Sequence, residues 1–404
     1  MSHPSILQLV SSSGFYGAER VLLELALHLE REGWRSHVGA LQHDRSAVAV
    51  VERARRHGLQ TVLFPCGSGF DAAAMRSIRS YTKQHDIDIA HSHGYKSNIF
   101  LFCSIGRRGP AARLPGHHAP AYPCRSPEAR WWPWRVRPEG PKLVSTCHNW
   151  LTDSLKLMVY ELLDKLTLHQ FDHVVAVSPP LDRELAAAGI PPDRHSVIDN
   201  GLDLGQSLSP EQREDLRRSL GVAPAEPMLL AIGRLDPWKA YDRLLEAMAR
   251  LGPDRRARLV LVGDGELRDA LESQARELGV DRRVTFAGYR TDVGQLLLAA
   301  DLFVISSRKE GLPMVLLEAM AAGLPVVATR VGAIESTLEQ GAAGALVPSE
   351  DSGRLAAAIG ELLDAPERRL ELGRRGHAAH QARFSRRAMG QRYIALYRQL
   401  LGGR

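Results

Sequence analysis

The sequence has few of the features that mark membrane-spanning, secreted or nucleic-acid-binding proteins. No apolar run approaches the length of a transmembrane helix, and residues 1–5 run directly into an apolar strand pattern, so we expect no signal peptide. The net charge of +6 is modest for 404 residues and is spread along the chain, without the concentrated basic patch of a nucleic-acid-binding module. We therefore expect a cytoplasmic protein with no nucleic-acid partner.

Cysteine is also scarce. The four cysteines are scattered and include no CxxC pair, the spacing typical of redox and zinc sites. We expect reduced thiols that form neither a disulfide nor a metal site. The four are Cys66, Cys103, Cys124 and Cys147.

What the chain does contain is a regular alternation of short apolar runs and amphipathic segments. Such alternation indicates parallel βαβ units, and 404 residues suffice for two domains. We predict two doubly wound α/β domains facing a cleft, over 1–202 and 211–383, with a linker over 202–210. Helices are predicted over segments such as 18–31 and 71–84. The predicted strands are 6–10, 36–41, 61–65, 89–93, 143–147, 174–178, 196–199, 228–232, 259–262, 284–287, 302–305, 326–328 and 345–347.

One stretch, 106–141, breaks this pattern. It is rich in Pro, Arg, Gly and His, carries Trp131, Trp132 and Trp134, and has neither helical nor strand periodicity. A long irregular stretch inside a compact domain indicates an insertion, a lid or disorder. Two interpretations stay open. The tryptophans and neighbouring arginines could contact an anionic membrane surface, at the inner face of the plasma membrane, or the tryptophans could pack back on the domain.

The most informative run is 308–325, which follows an apolar strand pattern. Gly311 allows a tight turn and close backbone approach, and Pro313 suits the first turn of a helix. That helix is apolar almost all round, so we expect it to be buried, and its Glu318 then needs a partner. Free amides at a helix N-terminus bind anions. Together with Glu310, these features predict a pocket for a phosphorylated, hydroxyl-rich ligand.

A second candidate site follows the first strand of the second domain. Gly233 and Arg234 come directly after the strand, and Lys239 lies five residues further on. Arginine offers a planar fork of donors and lysine a compact charge, so across a turn both can converge on one diphosphate. The alternative is a pair of solvated surface cations.

Two other strand-to-helix turns carry glycines. Gly263 lies in a turn that resembles half of a dinucleotide fingerprint, although the full GxGxxG pattern is absent. Gly17 follows the first strand of the chain and would let the backbone approach a ligand at a helix N-terminus. An ordinary βα turn is the alternative for both.

Three histidines end neighbouring predicted strands. His148 follows strand 143–147, where a side chain in an α/β fold faces the cleft, although a lone histidine is also often structural. His91 and His93 share one face of strand 89–93, so we considered a metal site. No third ligand follows at a suitable spacing.

Together these motifs resemble those of retaining glycosyltransferases of GT-B architecture, in the group called glycosyltransferase family 4 or glycosyl transferases group 1. The most specific element is the E-x7-E motif, Glu310 and Glu318. The resemblance covers nearly the whole chain and departs in 106–141, where relatives have a short loop. The other similar segments are Gly233-Arg234 with Lys239, 262–265, 286–288, Gly14 with 17–19, and 197–203.

The resemblance implies a role for each candidate in the donor site. Arg234 and Lys239 would bind the donor diphosphate and stabilise the leaving group. Glu310 would hold hydroxyls of the transferred sugar beside the start of the motif helix, and Glu318 would accept hydrogen bonds from the ribose. The helix start comprises Gly311, Leu312 and Pro313, and Gly233 and Gly263 complete the donor-binding turns.

The remaining roles follow in the same way. Tyr289 and Arg290 would lie near the nucleobase, Gly17 would approach the diphosphate from the first domain, and His148 would contact the donor sugar. The C-terminal helix, within 384–404, would cross back to the first domain, as it does in the family.

We also expect no cofactor and no divalent metal, because Arg234 and Lys239 would do what a metal does in enzymes with a DxD motif. Asp86 and Asp88 match DxD, but they precede a strand, at the wrong end of the sheet, and we expect them in a solvated loop. The predicted activity is retaining transfer of a sugar from a nucleoside-diphosphate sugar to a hydroxyl acceptor, in polysaccharide or glycolipid synthesis. The alternatives are a soluble small-molecule glycosyltransferase, a hydrolysing sugar-nucleotide epimerase and a non-catalytic binding descendant.

Overall fold

The computed structural model describes residues 3–11, 17–43, 49–67, 69, 71–106, 140–148, 155–205, 207–252 and 255–402. The chain divides into two compact units. The N-terminal unit comprises Met1–Ile198 and Gly390–Arg404, and the C-terminal unit comprises Asp199–Met389. Cys124 and nearly all of the predicted insertion 106–141 lie outside the described residues, so the membrane-contact hypothesis stays a prediction.

The N-terminal unit is built on a seven-stranded parallel sheet in the order β3-β2-β1-β4-β5-β6-β7. Each predicted strand of this half is present. The central strands β1 and β4 are buried along their whole length, as in a parallel sheet covered by helices on both faces. The strands are β1 Ser5–Val10, β2 Arg35–Gln42, β3 Gln60–Pro65, β4 Ile89–His93, β5 Lys142–Cys147, β6 His173–Ala176 and β7 His195–Val197. The helices are α1 Gly17–Arg31, α2 Ala49–Arg56, α3 Ala72–Gln84, α4 Tyr95–Ile105, α5 Leu155–Leu168 and α6 Pro179–Ala187.

The C-terminal unit has a six-stranded parallel sheet in the order β10-β9-β8-β11-β12-β13. The strands are β8 Met228–Ile232, β9 Arg258–Val262, β10 Val284–Phe286, β11 Leu302–Ile305, β12 Val326–Thr329 and β13 Ala345–Val347. The helices are α7 Pro210–Ser219, α8 Tyr241–Arg250, α9 Arg268–Glu277, α10 Val293–Ala299, α11 Met314–Ala321, α12 Ile334–Thr337, α13 Ser352–Asp364 and α14 Pro366–Ala379. A last helix, α15 Arg386–Leu400, begins in this unit and from Gly390 onward belongs to the N-terminal unit. The predicted pair of doubly wound parallel-sheet domains is confirmed.

The strand order fixes where a ligand site can form in each unit. In the C-terminal unit the chain order reverses between β8 and β11, which pair directly, and in the N-terminal unit it reverses between β1 and β4. Ligands of open α/β sheets bind beyond the carboxyl ends of the strands at such a switch point. The two most informative sequence motifs follow β8 and β11, so the fold brings them together.

The predicted linker over 202–210 differs from the structure. The two units divide between Ile198 and Asp199, and Leu202 is fully buried in the core of the C-terminal unit. Its backbone N–H donates to the carbonyl of Phe384 at 2.9 Å. A single apolar residue without periodic neighbours gives no strand or helix signal, which is why the sequence pattern missed this burial.

Two further properties of the described residues concern membrane-spanning helices and the state of the cysteines. None of their helices combines the length and the apolar composition needed to cross a bilayer. Cys66, Cys103 and Cys147 are free thiols, and burial raises the pKa of the Cys103 thiol to about 11. This thiol is therefore protonated near neutral pH.

Asp301 anchors the amino ends of β8 and β11. Its Oδ2 accepts from the backbone N–H of Met228 at 2.8 Å and from the buried Arg217 at 2.8 Å, and its Oδ1 accepts from Arg213 at 2.9 Å. We expect Asp301→Asn to lower the free energy of unfolding by about 1–3 kcal/mol, because Arg217 loses its charged partner. Chemical denaturation measures this loss. Binding of nucleotide by the folded variant should be unchanged, and a stability equal to that of the wild type would contradict the anchoring role.

Candidate active site

The turns after β8, β9 and β10 are layered against one another through glycine. The N–H of Gly233 donates to the carbonyl of Val262 at 2.9 Å, and the N–H of Gly263 donates to the carbonyl of Gly288 at 2.8 Å. Gly263 has a φ of +136°, and a Cβ at this position would lie 1.9 Å from the carbonyl oxygen of Gly233. Glycine is therefore required here by the packing of one turn on the next, a reason that is independent of any ligand.

Lys239 is held in place by its own turn and by Glu310. Asp236 caps a short 3-10 helix, Pro237–Lys239, by accepting from the backbone N–H groups of Trp238 and Lys239 at 3.0 and 3.2 Å. This short turn precedes α8, which begins only at Tyr241. The cap directs the lysine toward the end of β11.

The Lys239 ammonium forms an ion pair with Glu310. Lys239 Nζ donates to Glu310 Oε1 at 2.6 Å, and their side chains are 22% and 11% exposed. Ser307 Oγ donates to the same carboxylate oxygen at 2.7 Å. Both donors act on Oε1, and within the described chain no donor reaches Oε2. The second oxygen therefore keeps its full capacity to accept hydrogen bonds.

Arg234 contrasts with the other arginines near it. It is exposed, and its side chain makes no ion pair or hydrogen bond with any residue that the structure describes. Arg308, in comparison, is paired with Asp242 at 2.7 Å and with Glu350. The guanidinium of Arg234 therefore keeps all its donors for an incoming anion.

The start of α11 presents open backbone amides. Gly311 is exposed and Leu312 is half-buried, and neither N–H donates to an acceptor in the described ranges. Pro313 is extended, with φ −70° and ψ 121°, and α11 begins at Met314, so the proline precedes the first turn instead of lying in it as predicted. The arrangement still supplies open N–H groups at the positive end of a helix, which favours a bound anion.

The loop between β12 and α12 supports this helix start from behind. The N–H of Ala333 donates to the carbonyl of Gly311 at 3.0 Å. Gly332 has a φ of +57°, and a Cβ on it would lie 2.0 Å from the carbonyl oxygen of Glu310. The position of the Glu310–Gly311 segment therefore depends on a glycine that the sequence motifs did not identify.

Other side chains that the sequence analysis did not identify also fix the backbone near Lys239 and Glu310. Ser306 Oγ donates to the carbonyl of Lys239 at 2.8 Å, and Thr329 Oγ1 donates to the carbonyl of Ser307 at 2.7 Å. Burial, together with the nearby Glu310 carboxylate, raises the pKa of Tyr241, so its phenol stays protonated. The sequence feature that could have indicated these residues is the Ser306-Ser307 pair, which directly follows the buried strand β11.

Glu318 lies where the sequence predicts. It sits in the middle of α11 and is 5% exposed, among apolar residues of the same helix. A carboxylate so deeply buried is costly unless it is compensated. Its predicted contact with a ribose stays a prediction.

The two residues predicted near the nucleobase differ in their surroundings. Tyr289 is 80% exposed. Arg290 forms a two-bond pair with Asp292 at 2.8 and 2.6 Å, and the Asp292 carboxylate raises the pKa of Arg290 further. Of the two, Tyr289 is the side chain with its ring open to a ligand.

The predicted site residues of the N-terminal unit lie at the carboxyl ends of its strands. Gly17 begins α1 and is half-buried, while Gly14 and the rest of that turn lie outside the described residues. His148 directly follows β5 and is half-buried, and its Nε2 lies 3.5 Å from Nδ1 of His93. Burial lowers the pKa of His148 to about 4, so the ring is neutral at pH 7.

Metal ligation receives no support from the described part of the chain, in which no three His, Cys, Asp or Glu side chains are grouped closely enough to hold an ion. The DxD pair is placed as predicted, before β4. Asp86 and Asp88 are exposed, but Asp88 also accepts from the backbone N–H of Ser5 at 2.9 Å. It thereby ties the start of β1 to β4, which is a structural role beyond the predicted solvated loop.

The chain is similar to several glycosyltransferases. D-inositol 3-phosphate glycosyltransferase of Nocardia farcinica is 35% identical over 272 residues, which are 62% of this chain and 59% of that protein. The lipopolysaccharide core biosynthesis glycosyltransferase LpsE of Rhizobium meliloti is 38% identical over 200 residues, which are 50% of this chain and 56% of that protein. The chain thus spans between half and two thirds of the length of these relatives.

Solved structures cover nearly the whole chain. HepE of Anabaena, in complex with UDP and glucose, is 25% identical with a TM-score of 0.75, over 98% of this chain and 99% of that one. Sucrose-phosphate synthase of Thermosynechococcus elongatus is 21% identical with a TM-score of 0.74, over 99% and 100%, which shows the same fold.

Two family models divide the chain in the same way as the structure. The model for a glycosyl transferase 4-like domain matches residues 16–201, and the model for glycosyl transferases group 1 matches residues 212–378. Together they cover every strand after β1 and every residue of the candidate site. The chain therefore belongs to the glycosyl transferases group 1 family and has its GT-B architecture.

Proposed function

We propose that the protein is a glycosyltransferase that moves a sugar from a nucleoside-diphosphate sugar to a hydroxyl acceptor, with retention at the anomeric carbon. The observation that carries this proposal is the Lys239–Glu310 ion pair, which lies beside the unpaired Arg234 and the open amides that begin α11. The names of the relatives, and the UDP and glucose bound by HepE, support a nucleotide-sugar donor.

The proposed chemistry follows from the charge that develops during transfer. The leaving nucleoside diphosphate gains negative charge while the sugar becomes oxocarbenium-like. Arg234 and Lys239 supply fixed positive charge to the diphosphate, and the α11 amides add oriented dipoles. Because Lys239 is held against Glu310 beforehand, its charge stabilises the transition state with little reorganisation.

Glu310 has two tasks in this proposal. Its Oε1 accepts from Lys239 and Ser307, which fixes the direction of the ammonium. Its Oε2 is left to accept from a hydroxyl of the transferred sugar. The single carboxylate thereby links the position of the diphosphate-binding cation to the position of the sugar, which favours a productive geometry.

The same site geometry argues against a non-catalytic descendant. A protein that only binds a sugar nucleotide has no need to fix a lysine against a carboxylate at 2.6 Å while an adjacent arginine stays unpaired. For retention, the leaving phosphate is proposed as the base for the acceptor hydroxyl on the same face of the sugar, since no side chain is assigned as a nucleophile.

Two acceptor classes follow from the relatives. The likeness to LpsE supports a surface glycan or a lipid-linked acceptor, which we favour because it matches the sequence expectation. The likeness to the D-inositol 3-phosphate enzyme supports a small phosphorylated polyol as the second candidate. The two are distinguished by presenting each acceptor class with the same donor.

The activity is tested by incubating the protein with a panel of nucleotide sugars that vary in base and sugar. We expect release of the nucleoside diphosphate from one of them, accelerated by a matching hydroxyl acceptor. The anomeric configuration of the product, read by NMR, tests retention. Absence of release from every donor, with every acceptor class, would contradict the proposal.

We expect turnover to be unaffected by chelation. In the proposed site Arg234 and Lys239 supply the positive charge that stabilises the leaving diphosphate, so a divalent cation is not required for that task. The measurement is nucleotide release in excess EDTA, with EDTA saturated beforehand by magnesium as the control. Loss of turnover in EDTA that magnesium or manganese restores would show that the site needs a metal.

A further inference from the structure

Beneath His148, the N-terminal unit contains a layer of polar aromatic side chains that the proposed function does not use. His91 and His93 point to one face of β4, and Thr146 and His148 end the neighbouring β5, which is in register with it. Tyr393 and Tyr397 come from α15 and are almost fully buried. These groups form a continuous chain of contacts, which we call the histidine layer.

His91 is the fixed end of the histidine layer. Its Nδ1 lies 2.7 Å from the hydroxyl of Tyr397, and its Nε2 lies 2.8 Å from Oγ1 of Thr146. Thr146 Oγ1 lies in turn 2.7 Å from the hydroxyl of Tyr393. Both ring nitrogens are therefore engaged, and the imidazole, which is 0% exposed, cannot turn without breaking a buried hydrogen bond.

His93 lies between this fixed ring and His148. Its ring centre is 4.3 Å from that of His91 and 5.8 Å from that of His148, with the second pair stacked at 26°. His93 is 3% exposed, so its orientation is set by these two neighbours. The contact to His148 joins Nδ1 of His93 to Nε2 of His148 at 3.5 Å.

The other nitrogen of His93 indicates where its proton lies. Nε2 is buried and has no hydrogen-bond partner among the residues that the structure describes. A buried N–H without an acceptor is rarer in folded proteins than a buried acceptor without a donor. The proton of His93 is therefore assigned to Nδ1, from which it is donated to Nε2 of His148.

We propose that His93 is a positioning residue that fixes the ring orientation of His148 and holds its proton on Nδ1. The tautomer of a histidine is set by the hydrogen bond that its other nitrogen makes, and here Nε2 of His148 must accept. Nδ1 is then the nitrogen that remains for a ligand, and it carries a donor N–H. The functional part of this inference rests on the proposed function, together with the contact between His148 and the donor sugar that the family resemblance implies.

This arrangement requires the imidazole rings of His91, His93 and His148 to be neutral, and the structure meets this requirement. Burial lowers the pKa of His91 to about 3 and that of His148 to about 4, and the pKa of His93 is lowered by burial and by its two histidine neighbours. All three rings are then uncharged at pH 7, so each carries one proton whose position is a tautomeric choice.

The test compares two substitutions that separate hydrogen bonding from packing. His93→Phe keeps a ring of similar size and removes the nitrogen, whereas His93→Asn removes the ring and keeps an amide near the place of Nδ1. His173→Phe is the matched control, because His173 is a buried histidine on β6 of the same sheet that is bonded to Ser196 at 2.8 Å and takes no part in the hydrogen bonds of this layer.

The direct readout is the ring nitrogen chemical shifts of His148 at pH 7, in protein labelled with 15N-histidine and without substrate. The signals are assigned by their loss in His148→Gln. We expect the proton on Nδ1 in the wild type, in His93→Asn and in the His173→Phe control. In His93→Phe we expect it on Nε2, the form that free histidine prefers. A wild-type proton on Nε2 would overturn the proposal even if no variant folds, as would an unchanged tautomer in folded His93→Phe.

Kinetics give the second readout with a nucleotide-sugar donor that the panel identifies. We expect His93→Phe to lower kcat about tenfold or more with little change in donor KM, and His93→Asn to restore kcat to within about threefold of the wild type. A merely structural role would give the opposite order, because phenylalanine packs more like histidine than asparagine does. If the tautomer shifts as expected but no donor is turned over, the positioning role stands and the proposed function fails.

Discussion

Replacing Arg234 or Lys239 by alanine is expected to raise the barrier to sugar transfer by about 2–4 kcal/mol, which is the range for a preorganised charged contact to a leaving group. Lys239 makes its ion pair with Glu310 in the absence of ligand, so its ammonium is already in position. The guanidinium N–H groups of Arg234 have no partner among the described residues. Steady-state kinetics with a saturating donor measures the loss, which corresponds to roughly a 30- to 1,000-fold fall in rate.

The matched control for these variants is Arg255→Ala. Arg255 is a surface arginine that pairs with Asp364 at 2.6 Å, and both side chains are exposed. Surface pairs of this kind contribute little to stability, so the control reports the effect of removing one positive charge from the C-terminal unit. Full transfer activity in Arg234→Ala or Lys239→Ala, at a folded fraction equal to that of the control, would refute the diphosphate assignment.

Gly263→Ala is expected to lower the free energy of unfolding by about 3–5 kcal/mol, because backbone strain at positive φ and a steric overlap add together. The added Cβ would lie 1.9 Å from the carbonyl oxygen of Gly233, and two backbone segments cannot yield as a flexible side chain does. The turn that carries Arg234 must shift, so nucleotide binding should weaken as well. Denaturant titration and nucleotide binding measure the two effects.

Alanine variants of two other glycines in the C-terminal unit, Gly279 and Gly311, separate the effect of backbone strain from that of steric overlap. Gly279 has a φ of +67° and nothing within 4 Å of an added Cβ, so Gly279→Ala should show only the backbone cost, about 1–2 kcal/mol. Gly311 also has open space, and its alanine variant should fold normally while crowding the open amides of α11. Equal stabilities for Gly263→Ala and Gly279→Ala would show that the layered turns can relax, and that the close approach at Gly233 is not a constraint.

The architecture could be predicted from sequence because its signals are local. Strands such as β8 and β11 are short apolar runs bounded by glycine or polar residues, and each is buried where the periodicity predicts. The difference at the predicted linker over 202–210 arises where the signal is not local: the backbone N–H of Leu202 donates to the carbonyl of Phe384, which lies far along the chain. Periodicity cannot report such a contact.

The candidate site was predictable as a set of residues but not as a geometry. The E-x7-E run and the Gly233-Arg234 turn identified the side chains. The Lys239–Glu310 pair, however, joins positions 71 residues apart, and it exists because β8 pairs with β11. Strand order is a property of the whole sheet, so no spacing in the sequence gives it. The same holds for Gly332, whose close approach to Glu310 requires the β12–α12 loop to fold against the motif.

The most direct test of the site is equilibrium binding of UDP, GDP and ADP by titration calorimetry in excess EDTA. The predicted result is that at least one nucleoside diphosphate binds the wild type and Arg255→Ala equally. Its affinity should fall at least tenfold in both Arg234→Ala and Lys239→Ala. Binding that needs added magnesium, or that is the same in all four proteins, would contradict a diphosphate site built from Arg234, Lys239 and the start of α11.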